Sequence, residues 1–179
     1  MAGWLDEAKA VDTAVYEAIA ASETPSLDVA MRDLSRAADH SKLWFATAAT
    51  LALLGGSGGR LAARRGLVSL GIASGFANLV AKPLGARRRP PRKEAEGLAS
   101  RHVQMPRSSS FPSGHAASAF AFATGAARAQ PMLSAPLRAL ATLVGYSRVH
   151  TGVHYPADVL AGAFIGVSVA ELTGRLLNN

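Results

Sequence analysis

Cysteine is absent from the 179 residues, charged residues make up only 17 % and aromatic residues 6 %. The first absence excludes a disulfide framework and any zinc site built on thiolates. The second, beside a hydrophobic share of 49 % and a mean hydropathy of +0.17, excludes an intrinsically disordered chain. Neither a Gly-X-Y period nor sustained heptads is present to make a fibre. The length suits one domain. Such charge as there is leans one way, 19 Lys and Arg against 12 Asp and Glu, for a net +7. A basic chain suits nucleic acid, anionic lipid or a phosphorylated substrate, and the placement of the charges has to choose among them.

The N-terminus reads MAGWLDEAKAVD, acidic in its first turn and without an apolar core or a small-residue cleavage site. This predicts no secretory leader and an N-terminal region that stays in the cytoplasm. Trp4, Ala8, Val11, Val15 and Ile19 recur at the period of one helical face, while Asp6, Glu7, Lys9, Asp12 and Glu17 lie elsewhere. Thr24-Pro25-Ser26 supplies a break and a cap, and Leu27, Met31, Leu34 and Ala38 repeat the helical spacing. Residues 1–42 therefore predict two amphipathic helices, too charged to cross a bilayer.

Beyond them the pattern changes. Leu43 to Gly59 and Gly66 to Ala81 carry no charge, and Phe111 to Ala127 carries only His115. Met132 to Ser147 is interrupted by Arg138 and Val159 to Gly174 by Glu171, each placed where it can snorkel from near an end. A span needs roughly 20 apolar residues, with about 17 as the lower limit, so each run depends on its interfacial neighbours. A soluble all-helical domain with Ala-rich core helices is the alternative, and it would need a charged outer face that these runs lack. The expectation is an all-α integral membrane bundle of about five transmembrane helices over residues 43–179, preceded by the amphipathic unit 1–42.

Between the second and third runs, Lys82 to Ser110 concentrates Lys82, Arg87, Arg88, Arg89, Arg92, Lys93, Arg101 and Arg107 around Pro83, Pro90 and Pro91. Taken alone, RRRPPRK reads as a juxtamembrane basic cluster touching anionic headgroups. No aromatic residue in this stretch can stack on bases, so nucleic acid is not an expected partner.

Spacing turns the basic loop into part of a site. Lys82 through Arg89-Pro90 reads KxxxxxxRP, Pro112-Ser113-Gly114-His115 reads PSGH, and Ser147-Arg148 through His154 to Asp158 reads SRxxxxxHxxxD. Together, and in this order, these motifs resemble the type 2 phosphatidic acid phosphatase (PAP2) superfamily, which includes lipid phosphatases, glucose-6-phosphatase and the vanadium haloperoxidases. The resemblance covers Leu43 to about Leu177. Phosphoryl transfer asks a protein mainly to position a nucleophile and neutralise oxygen charge. Lys82, Arg89 and Arg148 supply cations. The amides around Ser113, Gly114 and His115 open a helix N-terminus, a ready anion site, where Gly114 permits close approach and the Ser113 hydroxyl adds a donor.

The resemblance further implies His154 as a nucleophile forming a phosphohistidine, and His115 as the acid that protonates the leaving alkoxide and later activates water. Asp158 would orient His154, as a carboxylate does in a triad. The chemistry calls for no metal and no cofactor. Duller readings stand beside each assignment: Ser113 as a plain N-cap, Asp158 as a first-turn carboxylate, His115 as an interfacial residue, Lys82 and Arg148 as membrane-boundary markers. Those readings have to be invoked repeatedly at fixed spacings, whereas the phosphate site explains the set at once. His102, His150, Arg87, Arg88 and Arg92 match no motif position and read as bystanders.

Alternating spans put the end of the second, the start of the third, the end of the fourth and the start of the fifth on one membrane face, where the motifs fall. That face also carries most of the Lys and Arg, so the positive-inside rule turns the site to the cytoplasm of a bacterial inner membrane. Expected substrates are phosphatidic acid, phosphatidylglycerophosphate, polyprenyl (pyro)phosphates or decaprenylphosphoryl-5-phosphoribose, the last favoured by an Ala- and Arg-rich, actinobacterial composition. A phosphatase of soluble monoesters and a non-catalytic anionic-lipid-binding protein are the alternatives.

Overall fold

The computed structural model describes residues 3–92 and 98–176; Lys93, which ends the basic run, lies outside the described residues. The regular elements among the described residues are helical. In chain order they are α1 (Gly3–Ala21), α2 (Pro25–Ala37), α3 (Lys42–Leu54), α4 (Gly56–Phe76), α5 (Lys82–Gly85), α6 (Gly114–Ala129), α7 (Ser134–His150) and α8 (Pro156–Leu176). A π turn over Ala77–Ala81 joins α4 to α5, so that Gly56–Gly85 runs as one helix of 30 residues.

The break between α3 and α4 falls at Gly55-Gly56, earlier than the charge pattern suggests. Gly56 takes a left-handed φ of +59°, which a side chain would resist. Arg60, Arg64 and Arg65, which separate the charge-free runs Leu43 to Gly59 and Gly66 to Ala81, lie inside α4, where arginine is a good helix former.

Gly56–Gly85 and α8, 30 and 21 residues long, are long and apolar enough to cross a membrane. The other expected spans form α3, α6 and α7, of 13, 16 and 17 residues. At about 1.5 Å per residue these helices are shorter than a hydrocarbon core of about 30 Å. Two of the five expected spans thus meet the requirement by length and composition, and three do not by themselves.

The centre of the bundle is α6, which packs against α4, α7 and α8. Its alanines at 116, 117, 119, 121, 123 and 126 are fully buried. Small residues let the backbones approach: a Cβ added at Gly162 of α8 would lie 2.3 Å from the Ser113 carbonyl oxygen, and one at Gly166 would lie 2.3 Å from that of Ala117. This four-residue glycine spacing fixes the start of α8 against the start of α6. Phe122 and Trp44, with ring centroids 5.2 Å apart, fill the opposite side of α6.

The N-terminal helices dock on this bundle, α1 against α7 and α8, and α2 against α7. Along α1 the buried residues are Asp12 and Tyr16, whereas Trp4 is 63 %, Val11 63 % and Val15 44 % exposed. The polar stripe therefore faces the protein and the apolar stripe faces away. Asp12 Oδ1 accepts from the Ala157 amide at 2.8 Å, so a distant element caps one of the first amides of α8. Tyr16 donates to the Pro91 carbonyl at 3.2 Å, tying α1 to the basic loop.

Candidate active site

The end of α5, the loop that follows it, the start of α6, the end of α7 and the start of α8 meet at one end of the bundle. The π turn lies immediately before Lys82, and such widened turns re-aim the residues that follow. Lys82 Nζ donates to Asn78 Oδ1 at 2.7 Å, within the same turn region, and reaches Ser108 Oγ at 3.5 Å.

Arg89 is pinned by carbonyls: Nη1 donates to Val153 O at 2.7 Å, Nε to Ser108 O at 3.0 Å and Nη2 to Ser109 O at 3.2 Å. Its Nη1 also lies 3.4 Å from His154 Nε2. A guanidinium only donates, so Nε2 faces it with its lone pair and the ring proton sits on Nδ1. On that side Nδ1 lies 3.5 Å from Ser110 Oγ and 3.6 Å from Asp158 Oδ2. Ser110 Oγ itself donates to Asp158 Oδ2 at 2.5 Å. Ser110 therefore stands between the imidazole and the carboxylate, a member of the constellation that carries no motif position. Burial pushes the His154 imidazole down to about 4, helped by the Arg89 and Arg148 charges and opposed by Asp158. The ring is neutral at pH 7.

Asp158 is fully buried and held from several sides. The Tyr155 amide donates to Oδ2 at 2.9 Å and Arg87 Nη1 to Oδ1 at 2.9 Å. Arg87 Nη2 reaches back to Asp12 Oδ2 at 2.7 Å, and its guanidinium lies 4.1 Å from the Tyr155 ring centroid. The bystander reading of Arg87 is therefore corrected: it bridges α1 to the carboxylate beside His154. Arg92 also has a place, donating to the carbonyls of Thr151 at 3.2 Å and Gly152 at 3.4 Å in the turn leading to His154. Arg88 is exposed. His150 is buried away from the site, 2.7 Å from Asp28, whose carboxylate also meets Arg101 at 3.2 Å.

Arg148 is 1 % exposed, and its Nη1 donates to Ser35 Oγ at 2.5 Å and lies 3.5 Å from Asp39 Oδ1. Its Nε is buried with no hydrogen-bond partner among the described residues. An orphaned buried donor is costly. Asp39 Oδ1 also lies 2.9 Å from His115 Nε2, and this hydrogen bond holds the Asp39 carboxyl below the usual carboxylate range.

Ser113 caps α6, with its Oγ accepting from the Ala116 amide at 3.4 Å and its own amide donating to the Asp158 carbonyl at 2.9 Å. The plain capping reading describes its contacts. A Cβ at Gly114 would sit 3.5 Å from Lys82 Nζ, an ordinary contact, so no protein atom forces glycine there. A cavity of about 160 Å³ opens beside Gly114 and His115, lined also by Lys82, Asn78, Ser118 and Trp44.

Of the residues singled out in the sequence, Arg89, His154 and Asp158 form one cluster with Ser110. Lys82, Gly114 and His115 line the adjoining cavity, with Arg148 behind His115 across Asp39. Asp12, Ser35, Asp39 and Ser110 were not legible, because no motif marks them and the first three come from the N-terminal segment outside the signature.

A helical bundle that gathers KxxxxxxRP, PSGH and SRxxxxxHxxxD at one end has the architecture and motif set of a membrane-phosphatase superfamily. The family model of the PAP2 superfamily matches residues 62–179, and the chain belongs to it. It is 32 % identical over 167 residues to the decaprenylphosphoryl-5-phosphoribose phosphatase of Mycobacterium tuberculosis, covering 91 % of this chain and 86 % of the relative. It is 41 % identical over 64 residues to the lipid A 1-phosphatase of Rhizobium johnstonii, where the match spans 36 % of this chain but only 26 % of the relative. The fold is similar to the crystal structure of a transmembrane PAP2-type phosphatidylglycerolphosphate phosphatase from Bacillus subtilis, with a TM-score of 0.70 and 24 % identity over 96 % of this chain and 86 % of that one. It is also similar to that of Aquifex aeolicus LpxE, with a TM-score of 0.67 and 24 % identity over 89 % and 92 %.

Proposed function

We propose that the protein is a membrane-embedded lipid phosphate phosphatase that works through a phosphohistidine on His154. The observation that carries this is the pairing of Arg89 and His154. A phosphoryl group drawn to the Arg89 guanidinium meets the Nε2 lone pair, which lies 3.4 Å from Arg89 Nη1, while Nδ1–H points to Ser110 and Asp158. Lys82, Arg148 and the α6 N-terminus around Ser113 and Gly114 neutralise the remaining oxygens. Nε2 attacks phosphorus, the bond to the lipid oxygen breaks, and His115 protonates the departing alkoxide. His115 then takes a proton from water, which attacks the phosphohistidine to release inorganic phosphate and free Nε2.

The substrate classes this site fits are phosphatidic acid, phosphatidylglycerophosphate, polyprenyl (pyro)phosphate and decaprenylphosphoryl-5-phosphoribose. The relative that matches over most of both chains favours the last. Gly56–Gly85 and α8 cross the inner membrane of a bacterium in this reading, and the excess of Lys and Arg near the site turns it to the cytoplasm. Residues 1–42 lie on the inner leaflet with the apolar stripe of α1 in the headgroup region, serving the domain at 43–179.

The test is phosphate release by the purified protein from a panel of these lipids with EDTA present, beside His154→Ala. Release from one lipid class, undiminished by EDTA and abolished in the variant, supports the reading. Equal release by the variant contradicts it. Release from p-nitrophenyl phosphate alone favours an enzyme of soluble monoesters.

A further inference from the structure

Asp39 lies outside the residues that the family model matches, in the short turn Asp39–Ser41 between α2 and α3. Its Oδ1 nevertheless lies 2.9 Å from His115 Nε2 and 3.5 Å from Arg148 Nη1, touching residues of two motifs at once. The backbone beside it is unusual. His40 and Ser41 take φ of +54° and +60°, the left-handed region that side chains disfavour. Two such residues in succession persist only where the surroundings fix them, and strain of this kind collects at functional sites. Around it, Ser35 on α2 holds Arg148, and His115 meets the half-exposed carboxylate from α6.

We infer that Asp39 is the positioning residue for the leaving-group acid His115, so that the N-terminal segment completes the active site. This rests on the phosphatase reading above. A carboxylate on Nε2 commits that nitrogen, fixes the ring's orientation, and leaves the second ring nitrogen to exchange a proton with the leaving oxygen. It also opposes the burial, and the Arg148 and Lys82 charges, that disfavour the imidazolium. The balance is that of general acid catalysis: the P–O bond breaks, the oxygen takes the proton of His115, and the ring is left neutral. Asp39 stays ionised throughout and touches no reacting atom.

A leaving group that needs no proton is indifferent to such a device, and this supplies the test. We would compare kcat/KM, which reports the first irreversible step, for dodecyl phosphate and p-nitrophenyl phosphate in mixed micelles. The proteins are the full chain, Asp39→Asn and Asp39→Glu. Asparagine should lower kcat/KM for the alkyl ester by about tenfold or more, part of the 10²–10⁴ that general acids contribute. It should leave p-nitrophenyl phosphate within about threefold, and glutamate should recover part of the loss. The ratio of the two substrates is independent of how much variant folds. Equal losses on both esters would make Asp39 merely structural and overturn the inference. A fall in KM on both with kcat held would overturn it too, showing the carboxylate to be a plug in the anion site. A parent protein inactive on both esters and on the lipid panel would instead bring down the phosphatase reading itself.

Discussion

Arg87 and Asp158 are joined by a 2.9 Å hydrogen bond from Nη1 to Oδ1, and the second arm of the same guanidinium holds Asp12 of α1 at 2.7 Å. A side chain outside every motif thus fastens the N-terminal helix to the carboxylate behind His154. Removing one partner of a buried ion pair costs about 3–5 kcal/mol, and partial solvent access to Arg87 reduces this. Arg87→Ala is expected to cost roughly 1–3 kcal/mol in thermal or denaturant unfolding. The same variant should lower kcat by about tenfold with KM little changed, since the group it disturbs orients the nucleophile and does not bind phosphate. Arg87→Lys, which cannot bridge both carboxylates with a planar fork, should fall between.

The pH dependence of the first step follows from His154. Its imidazole is pushed down to about 4, so the neutral nucleophile persists as pH falls through the usual histidine range. The acid limb of kcat/KM that belongs to His154 should therefore lie near 4, and a limb near 6.5 that vanishes in no other variant would contradict its burial. The stability consequence has the matching sign. With the folded pKa below the unfolded one, the unfolded chain binds more protons between them, so this residue's contribution to stability falls as pH drops from about 6.5 toward 4. Urea titrations at stepped pH, wild type against His154→Gln, measure it.

The contact of α8 with α6 leaves no room for a side chain at Gly162 or Gly166, where a Cβ would meet backbone oxygen at 2.3 Å. Gly162→Val should separate the starts of the two helices, which carry Asp158 and Ser113. The expected outcome is at least a tenfold loss of activity and a destabilisation of about 1–3 kcal/mol from overpacking. Gly71→Ala is the control, because nothing lies within 4 Å of a Cβ there. It should be neutral or slightly stabilising.

The outward stripe of α1 gives a prediction about the interface. Replacing Trp4, Val11 and Val15 together by serine removes apolar surface that faces away from the protein. Turnover of lipid phosphate in membranes should fall severalfold while turnover of p-nitrophenyl phosphate is retained. Equal retention of both would remove the membrane-surface role assigned to α1.

Legibility from sequence followed covalent spacing. Lys82 and Arg89, or His154 and Asp158, are brought near each other by their places along one segment, so a motif can record them. The helical class and the amphipathic period of α1 were also legible, since periodicity is a local property. The helix boundary at Gly56 was less so, because the charge pattern pointed to Arg60–Arg65 while backbone conformation decided. Asp12, Ser35 and Asp39 reach the site only through the docking of α1 and α2, and Ser110 through the path of a loop. Nothing local marks residues of that kind. Arg87 was visible as one arginine among several, and only its two carboxylate partners distinguish it from Arg88.

The most direct test is to trap the covalent enzyme. The purified protein would be mixed with a ³²P-labelled lipid phosphate, quenched in alkali within a turnover, and mapped by mass spectrometry. A phosphoryl group on His154, stable to alkali, labile to acid and absent from His154→Ala, is the predicted result. Label on another residue, or full phosphate release by His154→Ala, would contradict phosphoryl transfer through this histidine.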